Sequence, residues 1–307
     1  MRARSANRAN ESMLDRRERR EEDRAVDTNM SGKLAVVTGA TGGIGKEIAR
    51  GLARLGTDVL VAARNPSRGE ATRTELAAEA GAGEISTLPL DVADLSSVRA
   101  FAAAFGERHD RLDVLVNNAG AWFTERRESP DGFELTFATN VLGPHLLTEL
   151  LLGRLQAAPE GRVVNLISTI SGSFDPTDLQ YSRRRYDGYK AYAQSKQALS
   201  MLTVGLARRM DGSGVTANVI EPGFVRTGFN ANATGMQAAM IKMFARMMAV
   251  APTKGADCPL WAATAPELKG VTGKRFAGRK EKPVLFGDPE PIAELERICA
   301  ELERSPA

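Results

Sequence analysis

The sequence is poor in the residues that build metal centres and disulfide frameworks. Its 307 residues include two Cys, Cys258 and Cys299, and two His. Two thiols cannot form a disulfide scaffold or a cysteine-rich zinc site, and two imidazoles argue against a histidine-based metal site. We therefore expect no metal, and any catalysis should depend on other side chains.

An excess of one charge and a long apolar run are also missing. The chain has 41 Lys+Arg against 38 Asp+Glu, a formal net charge of +3, which gives no support for a nucleic-acid partner. No uninterrupted apolar run reaches the roughly 18 residues of a membrane span. With 43% hydrophobic residues the chain can bury a substantial core. Composition thus predicts a globular cytoplasmic protein and names no reaction.

Residues 1–29 differ in character from the rest of the chain. They contain eight Arg and seven acidic residues and no apolar run, so they match neither a secretory signal nor a mitochondrial presequence. We interpret them as a disordered polar extension. Met30 directly precedes the first predicted strand, so a translation start there, with residues 1–29 an artefact of the assigned gene start, is an open alternative. One domain is predicted over 30–307.

From residue 33, short β-branched runs alternate with longer amphipathic runs. The predicted strands are Leu34–Thr38, Asp58–Ala63, Ile85–Leu90, Asp113–Asn117, Arg162–Ser168 and Thr216–Glu221, and the predicted helices are Ile44–Leu55, Ser67–Ala80, Leu95–Phe105, Gly132–Leu155 and Tyr189–Met210. This alternation predicts an α/β fold, a single domain with a doubly wound parallel sheet. Ligands of such sheets bind beyond the carboxyl ends of the strands.

A glycine-rich segment joins the first strand to the first helix. It reads Thr38-Gly-Ala-Thr-Gly-Gly-Ile-Gly45, with the spacing G-x-x-x-G-x-G rather than G-x-G-x-x-G. Glycines allow the backbone to turn tightly and to approach a pyrophosphate, whose charge is favoured at a helix N-terminus. The strand before and the helix after this segment favour a dinucleotide site over a simple turn.

The second and fourth strands carry further clues to the cofactor. The second strand ends without an acid to bind a ribose 2′-hydroxyl, and Arg64 follows it, where a guanidinium could bind a 2′-phosphate. This predicts NADP(H) rather than NAD(H), although Arg64 could also be an ordinary surface residue. Two amides, Asn117 and Asn118, close the fourth strand and either contact the cofactor or tie loops together.

Tyr192 and Lys196 lie four residues apart on a predicted helix, hence on one face. A nearby ammonium favours phenolate, so we expect the pKa of Tyr192 to be lowered and Tyr192 to act as a general acid or base on a carbonyl–alcohol pair. Tyr186 and Lys190 have the same spacing. We prefer Tyr192, because a continuous apolar helical pattern follows it, whereas Tyr186 lies in an Arg-rich loop.

Together, these motifs and their order resemble the short-chain dehydrogenase/reductase superfamily from residue 33 over nearly the whole chain. The resemblance implies a Rossmann fold of about seven strands in the order 3-2-1-4-5-6-7. It implies a catalytic set of Asn140, Ser168, Tyr192 and Lys196, in which Tyr192 exchanges a proton with the substrate oxygen and Ser168 orients that oxygen. Lys196 would bind the nicotinamide ribose and lower the pKa of Tyr192, and Asn140 would hold a helix kink and a water.

The resemblance also implies a set of cofactor contacts, a subunit arrangement and a branch of the superfamily. The expected cofactor-binding residues are Gly39, Thr41, Gly43, Ile44, Gly45, Arg64, Asn65, Asp91, Val92, Asn118, Ala119, Gly120, Tyr192, Lys196, Pro222, Gly223, Val225 and Thr227. A homodimer or homotetramer is expected. Ser168 and Tyr192 are 24 positions apart, more than is usual, and this insertion resembles the retinol-dehydrogenase-like branch. Thr169 or Ser171 could replace Ser168 in its role.

Substrate selection is expected to depend on residues 228–250. Met236, Met240, Met243 and Met247 form an apolar stripe at helical spacing there, either a helix packed on the core or on a second subunit, or a mobile lid over a lipophilic substrate. Trp122 and Phe123 either line the same pocket or cover the sheet edge. We expect an NADP(H)-dependent oxidoreductase for a lipophilic carbonyl or alcohol. A catalytically silent NADP(H)-binding regulatory protein and a nucleotide-sugar epimerase or dehydratase are the alternatives.

Overall fold

The computed structural model describes residues 29–79, 83–170, 174–223, 225 and 250–304. Its strands are β1 (Leu34–Thr38), β2 (Asp58–Ala63), β3 (Ile85–Pro89), β4 (Val114–Asn117), β5 (Gly161–Leu166), β6 (Val215–Glu221), β7 (Arg275–Ala277) and β8 (Lys280–Lys282). Its main helices are α1 (Gly43–Arg54), α2 (Pro66–Ala77), α3 (Leu95–Gly106), α4 (Gly143–Gln156), α5 (Gly188–Arg209), α6 (Pro252–Thr264) and α7 (Pro289–Arg304).

The strands form one sheet in the order β3-β2-β1-β4-β5-β6-β7-β8. Every pairing is parallel except that of β7 with β8, which is antiparallel. The Rossmann fold with strand order 3-2-1-4-5-6-7 is therefore confirmed, and β8 adds an edge strand. The expected single helix over Gly132–Leu155 is wrong in detail, because a helical turn (Leu135–Phe137) and a π-helical segment (Ala138–Leu142) precede α4.

Alternate residues of each central strand face opposite sides of the sheet, as the pleat requires. In β1, Val36 packs with α3, α4, α5 and α7, whereas Ala35 and Val37 pack with α1 and α6 on the other face. Both faces are covered by helices, which explains why the strands are apolar throughout. Among the described helices, none combines the length and the apolar character needed to cross a bilayer.

The parallel strands all end at the same edge of the sheet. Register pairs Thr38 of β1 with Ala62 of β2, and Asn117 of β4 with Asn165 of β5. The loops that leave β1 to β6 therefore start along one edge, and the predicted site residues lie in these loops and in the helices that follow.

Candidate active site

The glycine segment after β1 is packed against the end of β4. Gly39 has φ +66°, and a Cβ there would lie 3.0 Å from Asn118 Nδ2. A Cβ on Gly45 would lie 2.3 Å from the same nitrogen and 2.6 Å from the carbonyl oxygen of Gly39. Only glycine satisfies these contacts, so the N-terminus of α1 is brought directly to the sheet edge.

The entrance to α1 is open and free of negative charge. No acidic residue lies in its first turn, and a Cβ on Gly42 would meet nothing within 4 Å. Gly43, the first residue of α1, has φ +56°, a conformation that side chains rarely adopt. A helix N-terminus with exposed backbone N–H groups and room in front of it is suited to a phosphate.

The two amides that close β4 hold the framework together. Asn117 Nδ2 donates to Thr148 Oγ1 (3.1 Å) and to Asn165 Oδ1 (2.8 Å). Asn118 Nδ2 donates to the carbonyl oxygen of Thr38 (2.8 Å), and the N–H groups of Asn118 and Ala119 donate to Thr38 Oγ1. Both amides therefore tie together the loops at this edge of the sheet.

The predicted cofactor residues that follow β2 and β3 differ in whether they already have hydrogen-bond partners within the protein. Arg64 is exposed, and its guanidinium has no hydrogen bond or ion pair within the described residues. Asn65 caps α2 by accepting from the N–H of Arg68 (3.0 Å). Asp91 accepts from the N–H of Ala93 (3.0 Å), and Val92 is buried against Gly143. Within the described residues, the Arg64 guanidinium is thus free to bind an anion beyond β2.

The structure brings the four predicted catalytic residues together. Tyr192 and Lys196 lie in the first half of α5, and Ser168 follows β5 and shares a hydrogen bond with Tyr192. Lys196 Nζ donates to the carbonyl oxygen of Leu166 (2.9 Å) and lies 5.9 Å from the centroid of the Tyr192 ring. A helix begun by the Asp187 side chain and a loop from the sheet edge thus converge.

Asn140 is fully buried in the π-helical segment Ala138–Leu142. Its Oδ1 accepts from the N–H of Ala121 (2.8 Å), and its Nδ2 donates to the carbonyl of Ala121 (2.9 Å) and to Ser195 Oγ (2.9 Å). Gly120 passes so closely that a Cβ there would lie 3.1 Å from Lys196 Nζ. Asn140 therefore fixes both the loop after β4 and helix α5.

Of the two hydroxyl groups that follow β5 within the described residues, those of Ser168 and Thr169, the structure brings Ser168 to Tyr192. Its Oγ also accepts from the N–H of Ile170 (3.1 Å), which fixes the turn. Thr169 is exposed, and Ser171 lies outside the described residues. The geometry favours Ser168 for orienting a substrate oxygen.

Burial determines the protonation states of Tyr192 and Lys196. Removal from water raises the pKa of Tyr192 to about 12, against a smaller lowering by the Ser168 hydrogen bond, and it lowers the pKa of Lys196 to about 8. The expected lowering of the Tyr192 pKa is therefore wrong for this structure, because desolvation of the phenol outweighs the effect of the Ser168 hydrogen bond. Tyr192 is a neutral acid at pH 7.

Tyr186, the alternative tyrosine with a lysine four residues on, is bound to Glu134 and Thr136 instead. Tyr186 Oη bonds to Glu134 Oε1 (3.0 Å) and to Thr136 Oγ1 (3.1 Å), and burial raises its pKa. Glu134 is itself buried and begins the helical turn before Asn140 by accepting from two backbone N–H groups. Tyr186 thus stabilises the framework.

The comparisons with known proteins agree with this geometry. The sequence pattern of the family described as short chain dehydrogenase matches residues 33–238. The chain belongs to this family.

Named relatives place it in the retinol-dehydrogenase-like branch. Human retinol dehydrogenase 13 is 37% identical over 278 residues, which cover 88% of this chain and 82% of the relative. Mouse polyprenol dehydrogenase is 40% identical over 262 residues, 83% of this chain and 78% of the relative. The solved RhlG/NADP active-site complex from Pseudomonas aeruginosa superposes with a TM-score of 0.64 at 29% identity, covering 81% of this chain and 96% of that chain. The chain is thus a short-chain dehydrogenase, an oxidoreductase of alcohols and carbonyls with a nicotinamide cofactor.

Part of the predicted site lies at or beyond the limits of the described residues. Pro222 and Gly223 follow β6, and Val225 packs against Gly255 of α6 and pairs with Val250 in an isolated bridge. Thr227 and residues 228–249, with the four methionines, lie outside the described residues.

Sequence reasoning missed the residues that attach the insertion between Ser168 and Tyr192 to α5. Gln194, buried two residues after Tyr192, accepts at Oε1 from Arg184 Nη2 (2.8 Å) and from the N–H of Asp175 (3.2 Å). Arg184 lies 4.0 Å above the Tyr181 ring. Ser195, Lys196 and Gln197 beside it are also polar and buried, so the sequence offered no signal that singles out Gln194.

Proposed function

We propose that this short-chain dehydrogenase is an NADP(H)-dependent reductase or dehydrogenase for a lipophilic carbonyl or alcohol, with Tyr192 as its general acid or base. The observation that carries the proposal is the Ser168–Tyr192 hydrogen bond beside the buried Lys196, at the edge where the strands end. Two hydroxyls that share one hydrogen bond can both be directed at one substrate oxygen.

The residues present fit a nicotinamide dinucleotide. The open backbone at Gly42 and the N-terminus of α1 suit its pyrophosphate, and the free Arg64 suits a 2′-phosphate. When bound, the cofactor supplies or accepts the hydride. The similar RhlG structure is a complex with NADP, which supports the same preference. Asn65 and Asp91 would border the adenosine end, from their positions after β2 and β3.

Proton transfer is the part that this chain performs. A phenol with a pKa of about 12 is protonated at pH 7, so Tyr192 can donate to a carbonyl oxygen while Ser168 holds that oxygen. Lys196 adds positive charge that favours the phenolate left behind. At neutral pH, a protonated Tyr192 favours carbonyl reduction over alcohol oxidation. The relatives named for retinol and polyprenol support a lipophilic substrate. The cytoplasmic location and the homo-oligomer stay predictions.

The test is NADPH oxidation by the full-length protein with a panel of long-chain aldehydes and ketones. Tyr192→Phe should lower kcat by about 100-fold or more, because it removes the general acid. Tyr186→Phe is the matched control, since Tyr186 also has a lysine four residues on, and it should keep kcat within a few-fold. Activity surviving Tyr192→Phe removes Tyr192 from its role. Tight NADPH binding without turnover of any compound would instead indicate the silent regulatory protein.

A further inference from the structure

The two tryptophans of the chain differ in one respect. Trp261 is buried, and its Nε1–H donates to Glu267 Oε1 (2.7 Å). Trp122 is 5% exposed, yet its Nε1–H is buried without a hydrogen-bond acceptor among the described residues. A buried indole N–H normally has an acceptor, and leaving one unpaired is costly. The environment of Trp122 is therefore incomplete.

Trp122 belongs to a backbone segment that is fixed at both ends to the catalytic residues. On one side, the N–H and the carbonyl of Ala121 both bond to the Asn140 side chain. On the other side, the carbonyl of Phe123 lies against Gly188, the first residue of the catalytic helix, where a Cβ would be 2.1 Å away. The backbone on both sides of Trp122 is therefore held against residues of the candidate site.

The reacting oxygen does not need this donor. Tyr192 and Ser168 already share a hydrogen bond and are both available to a single substrate oxygen. A Phe at position 122 would fill nearly the same space without an unpaired polar group. Trp122 follows Gly120, which passes beside Lys196, by two residues, and an unpaired N–H donor in this segment is suited to a different acceptor.

We propose that Trp122 is a substrate-binding residue whose Nε1–H donates to a second oxygen of the substrate. This rests on the proposed function and narrows its substrate class to lipophilic carbonyl compounds that carry a further ester, keto or hydroxyl oxygen. Simple aldehydes and ketones with one oxygen are then poorer substrates, because they leave the donor unpaired.

The kinetic test uses keto esters with the ester one, two or three carbons from the ketone, beside the ketone of equal length that lacks the ester. Trp122→Phe keeps an aromatic ring and removes the donor. It should lower kcat/KM about tenfold for the best keto ester and less than about twofold for the plain ketone. Trp261→Phe is the matched control and should change both substrates alike. Equal loss on both substrates in Trp122→Phe, or no loss on either, overturns the proposal.

A second readout leaves Trp122 intact. In Trp261→Phe it is the sole tryptophan, so the emission of this variant reports on its indole. With NADP⁺ present, which prevents turnover, the best keto ester should shift the emission, and the plain ketone at saturation should not. The same shift with both compounds, or none with either, overturns the assignment. If the wild type reduces none of the compounds, the proposed function fails, and the emission titration still decides whether Trp122 binds a second oxygen.

Discussion

Replacing Gly45 by alanine places a methyl group where the structure has no room for one. The new Cβ would lie 2.3 Å from Asn118 Nδ2 and 2.6 Å from the Gly39 carbonyl oxygen. The amide would have to leave the Thr38 carbonyl to which it donates at 2.8 Å, and the backbone oxygen has no rotamer to adopt. The variant must therefore distort the contact between the glycine segment and β4.

The expected loss of stability can be estimated from these contacts. Overpacking costs about 1–3 kcal/mol, and the lost hydrogen bond adds about 1 kcal/mol. Alanine gains at most about 1 kcal/mol over glycine within a helix. The free energy of unfolding of Gly45→Ala should thus fall by about 2 kcal/mol, which lowers Tm by about 4–8 °C for a domain of this size.

Thermal unfolding followed by circular dichroism measures this effect, and Gly42→Ala is the matched control. Gly42 has φ 176°, an extended conformation open to any residue, and a Cβ there meets nothing within 4 Å. Gly42→Ala should keep the wild-type Tm but bind NADPH more weakly, if a pyrophosphate approaches that backbone. A wild-type Tm in Gly45→Ala would show that the methyl group fits beside Asn118 and would overturn the prediction.

Three further predictions concern charge and the insertion. Burial lowers the pKa of Lys196 from 10.5 to about 8, so protonation of the unfolded chain destabilises the fold as pH falls from 10.5 to 8. Lys196→Met removes this penalty and also the hydrogen bond to Leu166, so the free energy of unfolding at pH 7 should rise by about 2 kcal/mol while turnover is abolished. Urea titrations should show the difference in stability between variant and wild type narrowing above pH 8. A variant less stable than the wild type at pH 7 contradicts this prediction. Arg64→Ala should raise KM for NADPH about tenfold or more and leave KM for NADH unchanged, and equal changes would remove Arg64 from the 2′-phosphate site. Tyr186→Phe should lower the free energy of unfolding by about 1–2 kcal/mol because a buried carboxylate loses a donor, whereas exposed Tyr189→Phe should not; equal melting curves would count against the framework role.

The parts of the fold that depend on local pattern could be predicted from the sequence. Apolar strands alternating with amphipathic helices indicated the parallel sheet, and the glycine segment and the Tyr192–Lys196 spacing located the site. The π-helical segment could not be predicted, because its apolar pattern is that of an ordinary helix and only the buried contacts of Asn140 show the widened turn.

Properties that depend on the surrounding folded structure could not be predicted from the sequence. The spacing of Tyr192 and Lys196 suggested a lowered phenol pKa, yet how deeply the phenol is buried, which reverses the direction, depends on the whole fold. β8 and α7 were not predicted either, since β8 is three charged residues and α7 follows a short loop without a catalytic motif. The link from Arg184 to Gln194 joins segments that no periodicity connects.

Hydride transfer between the nicotinamide and a carbonyl carbon is the activity that we propose for this chain. Full-length protein, NADPH labelled with deuterium at C4 on the transferred face, and the best carbonyl substrate of the panel test it directly, with mass spectrometry of the product. We predict an alcohol that carries one deuterium on its carbinol carbon. An alcohol without deuterium, or no consumption of NADPH with any carbonyl compound, would contradict it.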